Sequence, residues 1–194
     1  MGIHSAAIVE PGAVVHASAA VWHFAHIMGG ATVGEEAMIG QGVFVGPGVT
    51  IGARSRVQNF ANLPAGIVLE EDVFIGPHVT FTNIKYPRAF RNQRASFVPT
   101  IVHRGASIGA AATVLPGAHV GAFAMVGAGA VVSTPTPNYA LLRGVPARRV
   151  GWVSERGCPL VPHSDGYRCP ESGKQFIEVR GVLLPATEAS GSAR

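Results

Sequence analysis

Apolar residues recur along this chain at every sixth position. Counted from Ile3, the first place of each hexad reads Ile3, Val9, Val15, Val21, Ile27, Val33, Ile39, Val45, Ile51, Val57, Leu63, Leu69, Ile75 and Phe81, fourteen in succession. The fifth place is nearly as strict: Ala25, Ala31, Ala37, Val43 and Val49 are typical, and Ser55 is its one polar member before the series stops. An amphipathic helix repeats near 3.6 residues and a strand near 2, so the period belongs to a larger unit with two inward slots per hexad. The next fifth place is Lys85, which does not fit such an interior. The pattern resumes out of phase at Val102, Ile108, Val114, Val120, Val126 and Val132, with Ala106, Ala112, Ala118, Ala124 and Ala130 at the fifth places. A loop is predicted over about residues 84–101.

Hexads of this form build a parallel β-helix in which each short strand stacks on its equivalent one coil away, at a spacing of about 4.8 Å. The pattern resembles the left-handed, triangular version, with three hexads per coil. Twenty hexads then give an all-β fold of six to seven coils over residues 1–137. Glycine directly after many of the aliphatic residues (Gly34, Gly40, Gly46, Gly52, Gly76, Gly109) is expected to supply the dihedral freedom of tight corners. Residues 138–194 leave the repeat and are expected to form a cap and tail. Within them, the stretch from Cys169 to Leu184 reads as a short hairpin, and the residues beyond read as disordered. Flat, weakly charged prism faces suggest burial between subunits of a closed homotrimer.

Composition narrows the function classes. Apolar residues make up 47% of the chain but are scattered among 25 glycines, with neither a membrane-length run nor a signal-like opening. The expectation is a cytoplasmic protein without a membrane partner. Two cysteines, Cys158 and Cys169, are too few for a disulfide framework or a four-cysteine zinc site and read as free thiols. The net charge is +4, yet only 7% of residues are aromatic, which leaves little for a nucleic-acid groove. The positive charge is instead local and suited to a small anion.

A six-residue repeat carries no chemistry of its own, so function must lie in what interrupts it. The loop does so with Asn83 at its entry, followed by Lys85, Arg88, Arg91 and Arg94. Guanidinium groups match phosphate and carboxylate oxygens bidentately, and a nucleotide sugar bearing a carboxylate fits them. They also fit a solvated loop or a subunit contact. The stride of 18 residues places His23, Gln41 and Asn59 in one outward column, which suits a substrate groove or a hydrogen-bonded ladder. Small residues (Ala65, Pro47, Gly29) lie in the column of Asn83 and leave room for an extended arm.

The segments VWHFAH, FTNIKYPR, PTIVHRGASIGAAATV and NYALLRGVPARRVGW resemble the bacterial UDP-2-acetamido-3-amino-2,3-dideoxyglucuronate N-acetyltransferases of O-antigen sugar synthesis in lipopolysaccharide. The likeness runs from about residue 3 to 156. It implies acetyl-CoA as donor, a UDP-linked amino-sugar acid as acceptor, and sites between subunits of a homotrimer. The segment VQNFANLPAG departs from the family, where a more polar Gln-Asn-Asn run is expected. On this reading Asn83 aims the acceptor amine and His78 is a possible base. Arg88, Arg91, Arg94, His23, Gln41 and Asn59 bind the acceptor, while Arg143, Arg148 and Arg149 meet the phosphates of the donor.

Two other readings compete. The run Gly105-Ala106-Ser107-Ile108-Gly109 matches a hydrolase nucleophile elbow, but that motif needs a strand-to-helix turn. Here Ala106 and Ile108 take inward slots, and Ser107 is expected at a corner. Eight histidines invite a metal of the β-helix carbonic anhydrase type, whose ligands include a histidine pair five residues apart. The gaps here are 12, 7, 3, 52, 25, 16 and 44, so no metal is expected. A non-catalytic scaffold would not require the loop.

Overall fold

The structure, a computed structural model, describes residues 2–186, except for the side chain of Arg94. It is a left-handed parallel β-helix of about seven turns. Strands of two or three residues stack in three sheets, one on each face of a triangular prism. The first face holds Ala20–Val21, Met38–Ile39, Arg56–Val57, Phe74–Ile75, Ser107–Ile108 and Met125–Val126. The second runs from Ile8–Val9 to Val131–Val132 and the third from Val14–Val15 to Thr100–Val102. The register is the 18-residue stride: Ala20 pairs with Met38, Met38 with Arg56, and His26 with both Ile8 and Phe44.

The inward slots are filled as the hexads require. Ala25, Ile27, Val43, Val45, Ile75 and Ile108 are fully buried, and their equivalents from Ala19 to Val132 are buried likewise. Buried Ser55 is satisfied, because its hydroxyl donates to the Glu70 carbonyl at 2.9 Å and accepts from the Val73 N–H at 3.1 Å. The first coil has no neighbour beneath it, so Ile3 stays 50% exposed. After Val132 the chain closes the far end with an antiparallel hairpin, Ala140–Arg143 against Arg148–Trp152, that adds to the first face.

The glycine expectation needs correction. The left-handed dihedrals fall on the second corner residue, which is Gly30 or Gly48 in places but elsewhere Phe24, Glu36, Arg54, Phe60, Asp72 or His78, with φ between 53° and 62°. Gly34, Gly52 and Gly76 are not in that region. They are glycine because successive coils touch there: a Cβ on Gly34 would stand 2.8 Å from the Ala53 nitrogen, one on Gly76 2.7 Å from the Ala110 nitrogen, and one on Gly52 would overlap the Glu70 carbonyl. Ser107 also differs from expectation. It lies within a strand of the first face, half-buried, with no helix after it.

The excursion leaves the coil after Asn83 and is closed at its neck by the Val98 N–H donating to the Asn83 carbonyl at 2.9 Å. The coil resumes at Thr100–Val102, paired with Ile67–Leu69, two residues before the resumed hexads signal it. The tail is larger than the predicted hairpin. Gln175–Val179 and Val182–Pro185 do form one, but Val161–His163 and Gly166–Arg168 extend it to a four-stranded antiparallel sheet. These added strands carry Pro162 and Tyr167 with little alternation, so the sequence signal was weak. The expectation of disorder falls mainly on residues 187–194, which lie outside the described residues.

Candidate functional site

Asn83 sits where the coil opens into the loop, at the corner between the second and third faces. Its side-chain Nδ2 donates to the Ala65 carbonyl one coil below, at 3.0 Å. That bond fixes the carboxamide and leaves Oδ1 as an acceptor in a half-buried position. The column beneath is as small as the stride predicted, with Ala65 and Pro47 at the equivalent corner.

The loop above Asn83 is braced from within. The Arg88 N–H donates to Gln93 Oε1 at 2.9 Å, and Gln93 Nε2 donates to the Tyr86 carbonyl at 3.1 Å. Arg88 Nη1 reaches only the carbonyl of Pro87, and Arg91 is exposed. Among the described residues neither has a carboxylate partner, so both guanidinium groups are open to an anion. Arg94 opens a short 3₁₀ turn, Arg94–Ser96, and its side chain lies outside what the structure describes. Phe90 at the loop tip is 84% exposed.

His78 is not brought to Asn83. The strand Thr80–Phe81 crosses the second face between them, so the two occupy opposite edges of that face. The His78 ring instead stacks on Phe60 with centroids 5.2 Å apart. The column of His23, Gln41 and Asn59 is a real one on the His78 edge. Asn59 Oδ1 accepts the Gln41 N–H at 3.0 Å, and the Phe60 N–H donates to the Gln41 carbonyl at 2.8 Å. Part of this column is therefore a ladder, while the Gln41 side chain and the His23 ring line a cavity of about 310 Å³ together with Trp22 and Met38.

A second cavity of about 450 Å³ adjoins it across Met38 on the first face, lined also by Ala20, Glu36, Arg54 and Arg56. Sequence reasoning passed over Trp22, Met38 and Arg56. The same 18-residue stride that gathers His23 and Gln41 places Ala20, Met38 and Arg56 in one outward column, and that was the available signal.

At the closing hairpin the three candidate arginines separate. Arg149 is occupied: its Nη2 lies 3.1 Å from Glu178 Oε1, and its guanidinium covers the Trp152 ring at 4.0 Å. Arg148 is exposed and, with Arg149, lines a cavity of about 190 Å³ beside Ser133, Thr134 and Pro135, and Arg143 is exposed on the partner strand. Both cysteines lie further out in the tail and are free thiols. The carboxylate of Glu171 pushes the Cys158 thiol up to about 11, whereas hydrogen bonding with Ser154 and Ser172 brings buried Cys169 down to about 7. Among the described residues no group of three or more His, Cys, Asp or Glu is placed to hold a metal ion, and no helix is long and apolar enough to cross a membrane.

Known structures share this fold. A putative acetyltransferase of Bacillus cereus superposes with a TM-score of 0.63 at 26% identity, covering 77% of this chain and 86% of that one. The chain shares the fold of the hexapeptide-repeat acetyltransferases. A mutant GDP-perosamine N-acetyltransferase of Caulobacter crescentus, solved with CoA and GDP-perosamine, superposes with a TM-score of 0.52 at 26% identity, covering 75% of this chain and 56% of that one. In sequence, 88 residues are 41% identical to a dTDP-3-amino-3,6-dideoxy-α-D-galactopyranose 3-N-acetyltransferase of Aneurinibacillus thermoaerophilus. That match covers 45% of each chain, so this protein spans less than half the length of the curated relative. No family model matches the chain.

Proposed function

We propose that the chain is an acetyl-CoA-dependent N-acetyltransferase acting on the 3-amino group of a nucleotide-linked amino sugar, a UDP-linked uronic acid by the sequence resemblance. The observation that carries this reading is the fixed carboxamide of Asn83 at the foot of a loop whose Arg88 and Arg91 have no carboxylate partner among the described residues. Similarity to N-acetyltransferases of dTDP- and GDP-linked amino sugars supports the substrate class. The O-antigen role, the cytoplasmic setting and a homotrimer with sites between subunits belong to the same proposal.

The chemistry needs a neutral amine held in line with the thioester carbonyl and donors for the oxyanion. The amine nitrogen attacks the carbonyl carbon, the C–S bond breaks, and the CoA thiolate takes the proton that the amine loses. Products are the N-acetyl sugar and CoA thiol. Asn83 Oδ1 accepts one N–H of the amine and aims its lone pair without adding charge. Arg88, Arg91 and Arg94 hold the acceptor's carboxylate and phosphates, and Arg143 and Arg148 meet the donor's phosphates, with Arg149 bracing the hairpin that presents them.

Thiol release from acetyl-CoA with a panel of UDP-, dTDP- and GDP-linked amino sugars tests this. Turnover is expected with a 3-amino acceptor, and none with any amino sugar would refute the reading. Asn83→Ala is expected to lower kcat about 10²-fold through lost orientation. His78→Ala is expected to lose less than the roughly 10²- to 10⁴-fold of a missing general base. Abolished turnover in His78→Ala with acetyl-CoA binding intact would make His78 the base.

A further inference from the structure

Both cysteines of the chain lie in the C-terminal cap, outside the site built around Asn83, and the fold brings them together from two similar turns. In the first, residues 154–157, the Gly157 N–H donates to the Ser154 carbonyl at 2.9 Å and the Arg156 N–H to Ser154 Oγ at 3.3 Å. In the second, residues 169–173, the Gly173 N–H donates to the Cys169 carbonyl at 2.9 Å and the Ser172 N–H to Cys169 Sγ at 3.4 Å. The turns face each other, because Cys169 Sγ lies 3.3 Å from Ser154 Oγ in a buried contact. Cys158 follows the first turn. Its carbonyl accepts the Ser154 N–H at 2.9 Å, and its thiol donates at 2.8 Å to Oε2 of Glu171, two residues beyond Cys169. Contacts therefore cross between the turns in both directions, and the two sulfurs are left as neighbours.

The two thiols are not alike. Cys158 is half-buried, and the Glu171 carboxylate keeps its proton in place, with nearby Cys169 adding to the effect. Cys169 is fully buried, yet hydrogen bonding with Ser154 and Ser172 brings it down to about 7, so that about half is thiolate at neutral pH. A reachable thiol beside a buried thiolate is an arrangement in which a bond made by the first to an outside sulfur is broken by the second. The pair also joins two parts of the cap. The Leu160 N–H donates to the Trp152 carbonyl at 2.9 Å, which holds the Cys158 segment to the closing hairpin, whereas Cys169 directly follows the tail strand Gly166–Arg168.

We infer that Cys158 and Cys169 form a reversible disulfide, a redox clamp between the closing hairpin and the tail sheet. The oxidant is a small-molecule disulfide of the glutathione type. Cys158 gives up its proton, its sulfur bonds to one glutathione sulfur, and the S–S bond of the oxidant breaks to release one glutathione thiolate. The Cys169 thiolate then attacks the Cys158 sulfur, and the second glutathione leaves with the electron pair of the mixed bond. The protein loses two electrons and two protons, and the oxidant gains both as two glutathione thiols. In a reducing compartment the pair rests as thiols, and Glu171 slows the first step. Neither step uses a residue assigned to acetyl transfer.

The test incubates the full, reduced chain with excess oxidised glutathione at neutral pH and follows intact mass. Wild type should lose two hydrogen atoms without cross-linking and recover them with dithiothreitol. Cys169→Ser should stop at a glutathione adduct on Cys158, and Cys158→Ser should not react, because Cys169 is buried. Glu171→Gln should form the disulfide at least about tenfold faster, since the carboxylate no longer holds the Cys158 proton. Calorimetry should place the thermal midpoint of oxidised wild type about 5 °C above that of the reduced protein, because the new bond restrains the unfolded chain. A stable glutathione adduct on wild type, disulfide-linked dimers or an unchanged mass would overturn the pair. A disulfide that forms without raising the midpoint would overturn the clamp. An unchanged rate in Glu171→Gln would overturn the assignment of Cys158 as the thiol that reacts first.

Discussion

The coil and its C-terminal cap are two solutions to one problem, burial of a small apolar core. In the coil, burial is shared among many alanine and valine slots, each touching its equivalents one stride away, and stability is a sum of near-identical neighbour terms. In the cap a few large side chains do the work. Glu178 alone receives the Trp152 indole N–H at 2.9 Å, the Tyr167 hydroxyl at 3.2 Å and the Arg149 guanidinium at 3.1 Å. Tyr139 ties this cluster to the coil, stacking on Phe123 with centroids 5.5 Å apart and meeting Phe176 edge-on. Distributed packing tolerates substitution on its outer surface and so has room for a groove and a loop. Concentrated packing fixes one arrangement.

The comparison makes graded predictions. Trp152→Ala should have the largest effect, about 3–5 kcal/mol of stability, because it empties the site where the hairpin meets the tail. Denaturant unfolding would check it, and a loss below about 1 kcal/mol would mean the cap is not concentrated on this residue. Gly52→Ala should cost about 1–3 kcal/mol through overlap with the Glu70 backbone. Gly48→Ala meets open space and bears only the left-handed dihedral, about 1 kcal/mol, as Phe24 and Phe60 already do at equivalent corners. Equal losses in the two glycine variants, read from thermal midpoints, would restore dihedral freedom as the reason for both.

The smallest effect is with acid. The Arg54 guanidinium holds the Asp72 carboxyl below its usual range, the Gly29 N–H and then His26 do so for Glu10, and the Trp152 N–H does so for Glu178. A depressed carboxyl contributes stability that is fully present above its unfolded value and is lost as pH falls through the folded one. Thermal midpoints should therefore hold from neutral pH down to about pH 4 and decline below it. Glu178→Gln should flatten the part of that decline seen by Trp152 emission while leaving the coil's share in place.

Much of the fold was legible because the hexad is a local rule with a geometric consequence. Each aliphatic residue at the first place and each alanine or valine at the fifth is buried wherever a coil lies on either side. The loop was legible through Lys85, whose charge cannot occupy an inward slot. The tail sheet was less so, since its strands are short and Trp152 and Tyr167 find their shared acceptor on a strand 26 and 11 residues away. Asn83 and the loop arginines were visible as residues, but the bond to Ala65 that orients Asn83 was not.

The sequence by itself determined the period, the stride of 18 and hence which side chains share a column, because a repeat of fixed length stacks equivalent residues at a fixed spacing. Only the tertiary structure decided which members of those columns stay free. Asp72 claims Arg54 and leaves Arg56 open, Glu178 claims Arg149 and leaves Arg148 open, and the edge carrying His78 turns away from that of Asn83. Charge pairing and corner direction depend on neighbours one coil away or across a face, and a one-dimensional pattern carries neither.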